Sequence, residues 1–218
     1  MNKYIAEAVG TFALVFCGTG AIVINEVSGG AVGHQGIAIT FGLIVMAMIY
    51  SIGDLSGAHI NPAVTIAFVM AKKFPLEWLL PYIVAQLAGA LLASGLLRVL
   101  FPEADGLGET LPAGSSQQSF GLEVVLSFFL MFVILQVVSG PKTTSHWAGA
   151  AIGSTVLLEA MFAGPICGAS MNPARSIGPA LVNGNLIHLW IYILAPIIGM
   201  ILSVSVWKLL QDPQDTNG

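Results

Sequence analysis

The stretch Ala163 to Ala180, AGPICGASMNPARSIGPA, breaks an apolar region with Gly, Pro and Cys, restarts it at Asn172-Pro173, and carries Arg175, the only arginine of the second half. Asp54 to Thr65, DLSGAHINPAVT, repeats its core. Asn61-Pro62-Ala63 follows Gly57 and Ala58 as Asn172-Pro173-Ala174 follows Gly168 and Ala169. Any fold for this chain must accommodate two places where a hydrophobic segment stops, turns and begins again.

Around them lie six apolar segments: Tyr4 to Asn25, Gln35 to Gly53, Leu79 to Leu100, Phe120 to Ser139, Trp147 to Ala163 and Leu186 to Leu210. Each is long enough to cross a hydrocarbon core, which takes about 20 residues of helix. A membrane barrel would show alternating segments of about ten residues instead, so the expected fold is an all-α membrane protein. With 56% hydrophobic and 8% charged residues the chain has too little charge to cover a soluble surface. Seven basic residues and a net charge of -4 give no basic face for nucleic acid. Lys3 before an apolar run that ends near Gly18 allows a signal-peptide reading, but Glu7 inside the run and the segments that follow favour a first span. Cys17 and Cys167 have no CxxC partner and no His at metal spacing, so they read as free thiols, and no metal or cofactor is expected.

Two shorter apolar pieces remain, Pro62 to Ala71 and Pro173 to Val182, each ~15 Å as helix and so reaching halfway across. Asn caps free backbone amides and Pro suits the first helical turn, so both pieces read as half-helices that start inside the membrane. Backbone interrupted at that depth must be buried in protein or line a watery cavity. The halves match further: Glu7 in AEAVGTFALVF corresponds to Glu123 in LEVVLSFFLMF, and AQLAG (Ala85 to Gly89) to APIIG (Ala195 to Gly199). Three spans per half make the second copy an inverted repeat. The expectation is one channel-type domain over 1–218: repeat one at 1–100, an exposed linker at 101–118, and repeat two at 119–210. Gly10, Gly42, Gly89, Gly153 and Gly199 read as helix-packing positions. With a cytoplasmic N-terminus, Lys3, Lys72, Lys73, Lys142 and Lys208 fall inside and Arg98 alone outside, which places both termini in the cytoplasm. Short tails and loops suggest a bacterial inner membrane.

Half-helices inserted from opposite sides point both N-termini at one spot, each carrying about half a positive charge. The amides of Asn61 and Asn172 sit there as donors to a neutral oxygen, and a cation meets positive potential. Gly57, Ala58, His59 and Ile60, with Gly168, Ala169, Ser170 and Met171, are expected as extended runs exposing a ladder of carbonyls. This suits a narrow path for water-like solutes.

With six spans and an inverted repeat, SGAHINPAVT and GASMNPARS resemble the aquaporin (major intrinsic protein) family over essentially the whole chain. The resemblance implies a homotetramer with one pore per subunit, and a constriction made by Phe41, Ala160, Ala169 and Arg175. Strict water channels of the family typically carry His at the position of Ala160. An alanine there implies that glycerol, urea or undissociated metalloid acids pass as well as water. Ser176 and Ala180 resemble the water-selective branch, Ile193 resembles the glycerol branch, and AGPICGASMNPARS is close to a plant branch that conducts glycerol and metalloid acids.

Each singled-out residue has a plainer reading. Arg175 is either a pore cation or an ion-pair partner of Glu159, and Glu159 either faces the pore mouth or holds the loop. Glu7 and Glu123 form a proton relay or, the favoured reading, accept hydrogen bonds from the re-entrant loops. His59 is a pH-sensitive gate or a neutral lining residue, and Phe41 on its own would be ordinary packing. His34 and His146 read as interfacial residues at the cytoplasmic starts of their spans. As functions, a strict water channel and an ion-coupled secondary transporter stand as alternatives. An intramembrane enzyme lacks its motifs, since HExxH and GxSxG are absent.

Overall fold

A chain that must satisfy its own backbone in an apolar medium has the helix as its simplest solution, and the described residues contain helices and no strand. The computed structural model describes residues 1–140 and 146–211, so Lys142 of the lysine pattern lies outside them. The helices are α1 (Asn2–Val27), α2 (Gly33–Ser56), α3 (Pro62–Met70), α4 (Leu79–Leu100), α5 (Ser116–Ser139), α6 (Ala148–Cys167), α7 (Pro173–Asn183) and α8 (Leu189–Leu210). All but α3 and α7 are long and apolar enough to cross a bilayer. The half-helices α3 and α7 have 9 and 11 residues, or ~14 and ~17 Å.

The two halves pack by one rule. Helix α1 lies on α4 and α2, and its counterpart α5 lies on α8 and α6. Each half-helix leans on the last long helix of the other half, α3 on α8 and α7 on α4. Where α2 crosses α6 the contact is reciprocal: a Cβ on Gly42 would stand 2.6 Å from the Gly153 carbonyl oxygen, and one on Gly153 2.6 Å from that of Gly42. Matched residues meeting each other across a crossing is what an inverted repeat requires. Gly89 and Gly199 repeat the device, seating their backbones on the carbonyls of Ala8 and Val124.

Three expectations need correction. Helix α6 does not end at Ala163 but runs through Pro165 to Cys167. Proline cannot donate to the carbonyl four residues back, and the His34 ring nitrogen, 2.6 Å from Met161 O, takes up that carbonyl instead. His34 therefore sits near the C-terminal end of α6, while His146 precedes its N-terminus. Two antiparallel helices put these histidines at opposite membrane faces rather than together on the cytoplasmic one. The linker is not simply exposed either: Leu107 is fully buried and Ala104 nearly so, packed with Val23 and Leu97.

Candidate solute pore

The chain leaves α2 at Gly57 with φ +85° and α6 at Gly168 with φ +83°, left-handed turns that glycine adopts without steric cost. The segments that follow are not extended, as expected, but alternate through further left-handed residues: Ala58 (+47°) and Ile60 (+43°) in one, Ala169 (+41°) and Met171 (+52°) in the other. A side-chain-bearing residue pays about 1–2 kcal/mol for that conformation. Carboxylates compensate in both loops. Glu7 accepts from His59 N (2.8 Å), Ile60 N (2.7 Å), Ser56 Oγ (2.8 Å) and Gln86 Nε2 (2.7 Å). Glu123 accepts from Ser170 N (2.7 Å) and Met171 N (2.8 Å). Both carboxylates are fully buried.

The half-helices start as the Asn-Pro pattern dictates. Asn61 Oδ1 caps Ala63 N at 2.9 Å, and Asn172 Oδ1 caps Ala174 N at 3.0 Å. Their amide nitrogens make a link invisible in the sequence: Asn61 Nδ2 donates to Met171 O (2.8 Å) and Asn172 Nδ2 to Ile60 O (2.9 Å). Each amide nitrogen carries two hydrogens, so one ties the halves together and the other has no protein acceptor among the described residues. Of each Asn-Pro-Ala triplet the asparagine alone borders the cavity; Pro62, Ala63, Pro173 and Ala174 are buried behind it.

One continuous cavity is lined by Gly57, Ala58, His59, Ile60 and Asn61, by Ala169, Ser170, Met171 and Asn172, and by Phe41, Ala160 and Arg175. Gly168, expected in the carbonyl ladder, is not in its wall; Thr110 lies over it, within 3.2 Å of where a Cβ would stand. Apolar side chains complete the wall, among them Leu14, Val45, Val64, Ile134, Val138, Ala148 and Val156. From Ala160 to Ala148 the lining follows α6 for twelve residues, ~18 Å of helix rise. No carboxylate borders this cavity among the described residues, and Arg175 is its one cation.

Arg175, 2% exposed, sits in the first turn of α7. Its Nη1 donates to Gly108 O at 2.6 Å, and its guanidinium carbon stands 5.1 Å from the Phe41 ring centroid. Its Nε is buried and has no protein acceptor among the described residues. The expected alternative partner, Glu159, forms no ion pair with it: Glu159 is buried and its Oε2 has no hydrogen bond among the described residues. Gly108 belongs to the connection between repeats, and a clasp brings it inward. Arg98 donates to Ala104 O (2.6 Å) and Asn183 Oδ1 (2.7 Å), and Asn183 and Asn185 donate to Glu109 at 3.2 and 3.3 Å. His59 stacks on Phe68 at 4.7 Å and has Thr65 Oγ1 3.2 Å from its Nδ1, so it is packed as well as lining.

An all-helical integral membrane protein whose interrupted halves meet around an apolar lumen with polar groups at its centre defines a membrane channel. The Major intrinsic protein family model matches residues 1–207, and the chain belongs to that family, whose members are channels rather than enzymes. It is 46% identical over 212 residues to nodulin-26 of Glycine max, covering 97% of this chain and 78% of that one. With aquaporin NIP3-1 of Arabidopsis thaliana it shares 48% identity over 219 residues, covering 97% and 68%. The aquaglyceroporin of Plasmodium falciparum has a similar solved structure, with TM-score 0.86, 25% identity and 96% of each chain covered.

Proposed function

We propose that this channel conducts water together with uncharged solutes of glycerol size, including urea and undissociated metalloid acids, and that its constriction is formed by Phe41, Ala160, Ala169 and Arg175. The observation that carries the width is the pair of alanines, Ala160 and Ala169, that line the cavity together with the Phe41 ring and the Arg175 guanidinium. The likeness to an aquaglyceroporin supports the same reading. Asn61 and Asn172 orient the solute with their free amide hydrogens, and carbonyls of the two loops accept from it on the way. Two half-helix N-termini and Arg175 oppose cations, as in aquaporin-type channels generally. A strict water channel is disfavoured by the missing imidazole at 160. A coupled transporter is disfavoured because amides, not titratable groups, occupy the centre of the lumen.

The proposed assembly is a homotetramer in which each subunit keeps its own pore, since the lumen lies within the helices of one chain. Outward apolar side chains such as Leu92, Val99 and Phe129 are then covered by lipid or by neighbouring subunits. Lys3, Lys72, Lys73 and Lys208 support a cytoplasmic placement of both termini. A bacterial inner membrane has no support from the relatives, which are plant proteins. Repeat one at about 1–100 and repeat two at about 119–210 remain the proposed division of the single domain.

Ala160→His tests the constriction. An imidazole fills lumen and adds a donor, so glycerol permeability is expected to fall at least tenfold, the scale of excluding a solute by a few atoms in a fitted site, while water flux persists. Stopped-flow reswelling of proteoliposomes measures both. Unchanged glycerol flux would move the constriction elsewhere.

A further inference from the structure

Gly18 is a buried glycine in the middle of α1, where glycine is less favourable than alanine. The structure supplies the reason. A Cβ built there would lie within 2.7 Å of three carbons of the Phe41 ring, Cδ1, Cε1 and Cζ. Leu14, one turn earlier on the same helix, lines the cavity, so α1 turns this face towards the pore and the Phe41 ring covers it at position 18. On another side the ring has the Arg175 guanidinium at 5.1 Å. It also borders the lumen directly. A methyl group on residue 18 therefore displaces the ring, and the open side is the lumen.

We infer that Gly18 is a specificity-determining position of the pore: it is the recess that holds the Phe41 ring back, and its missing side chain sets the width beside Arg175. This rests on the reading of Phe41, Ala160, Ala169 and Arg175 as the constriction. Width is here set from the outside, by a residue the ring hides, so solutes much larger than water feel a substitution that never touches them.

The test is Gly18→Ala in proteoliposomes, with water and glycerol permeability measured on the same preparation, beside Phe41→Val, the double variant and Ala160→His. The expected result is a glycerol-to-water ratio lowered about tenfold in Gly18→Ala and restored in Gly18→Ala/Phe41→Val. If Gly18→Ala fails to fold, recovery of folding and glycerol flux in the double variant supports the recess. Failure of the double variant to recover overturns it. An unchanged ratio, or water and glycerol falling by the same factor, also overturns it. If Ala160→His lowers glycerol flux while Gly18→Ala does not, only the recess fails; if neither does, the constriction itself is misplaced.

Discussion

Glu123→Ala is expected to remove folded channel from the membrane, not merely to retune it. The carboxylate accepts two backbone N–H groups, from Ser170 and Met171, at 2.7 and 2.8 Å in a fully buried site. Hydrogen bonds to a charged group contribute about 1.5–3 kcal/mol each, and a buried donor left without a partner costs its desolvation besides. Those bonds hold a loop whose Ala169 and Met171 are left-handed, at about 1–2 kcal/mol each. Losing roughly 3–6 kcal/mol of support removes much of a typical folding free energy. Glu123→Gln keeps one acceptor oxygen and is expected to fall between. Glu7→Ala, which loses four partners, is expected to be at least as severe. Thermal unfolding and size-exclusion profiles of detergent-purified protein measure this. Wild-type stability in Glu123→Ala would show that the loop is held by something else.

Arg175→Ala is expected to keep water flux and to admit protons or small cations. At an effective dielectric constant near 20, a unit charge 4–6 Å from a permeating cation contributes about 3–4 kcal/mol, or about a hundred- to a thousandfold in rate. The half-helix dipoles stay in place, so the leak is partial. Dissipation of a potassium-diffusion potential and of a pH gradient in proteoliposomes reads it directly. Water flux retained with no leak above wild type would assign the whole barrier to the half-helix starts.

Much of this architecture is legible in the sequence because it is written twice. Asn61 and Asn172, Glu7 and Glu123, and the glycines of AQLAG and APIIG occur at matched positions, and each pair makes the same contact in its own half. What escaped depends on partners distant in the chain. Pro165 looks like a helix end until His34, on another helix, takes up the carbonyl it leaves free. Gly108 lies in a Gly- and acid-rich connection that reads as solvent-exposed, and it is drawn in by Arg98, Asn183 and Glu109. The left-handed Ala58, Ile60, Ala169 and Met171 carry no glycine to announce them. Nor does the pattern distinguish the asparagine hydrogen that crosses to the other half from the one that does not. Gly18 reads as one more small residue in a span, and its meaning comes from the ring it faces.

The central claim is a passive pore wide enough for neutral solutes beyond water, and the most direct measurement is one stopped-flow series on a single proteoliposome preparation with water, glycerol, and boric or arsenous acid. A pore of this kind gives rapid shrinkage in impermeant osmolyte, followed by reswelling as each neutral solute enters, unaffected by collapsing the proton and sodium gradients. Fast water flux with solute uptake no greater than in protein-free liposomes, or solute uptake that disappears with the gradients, would contradict it.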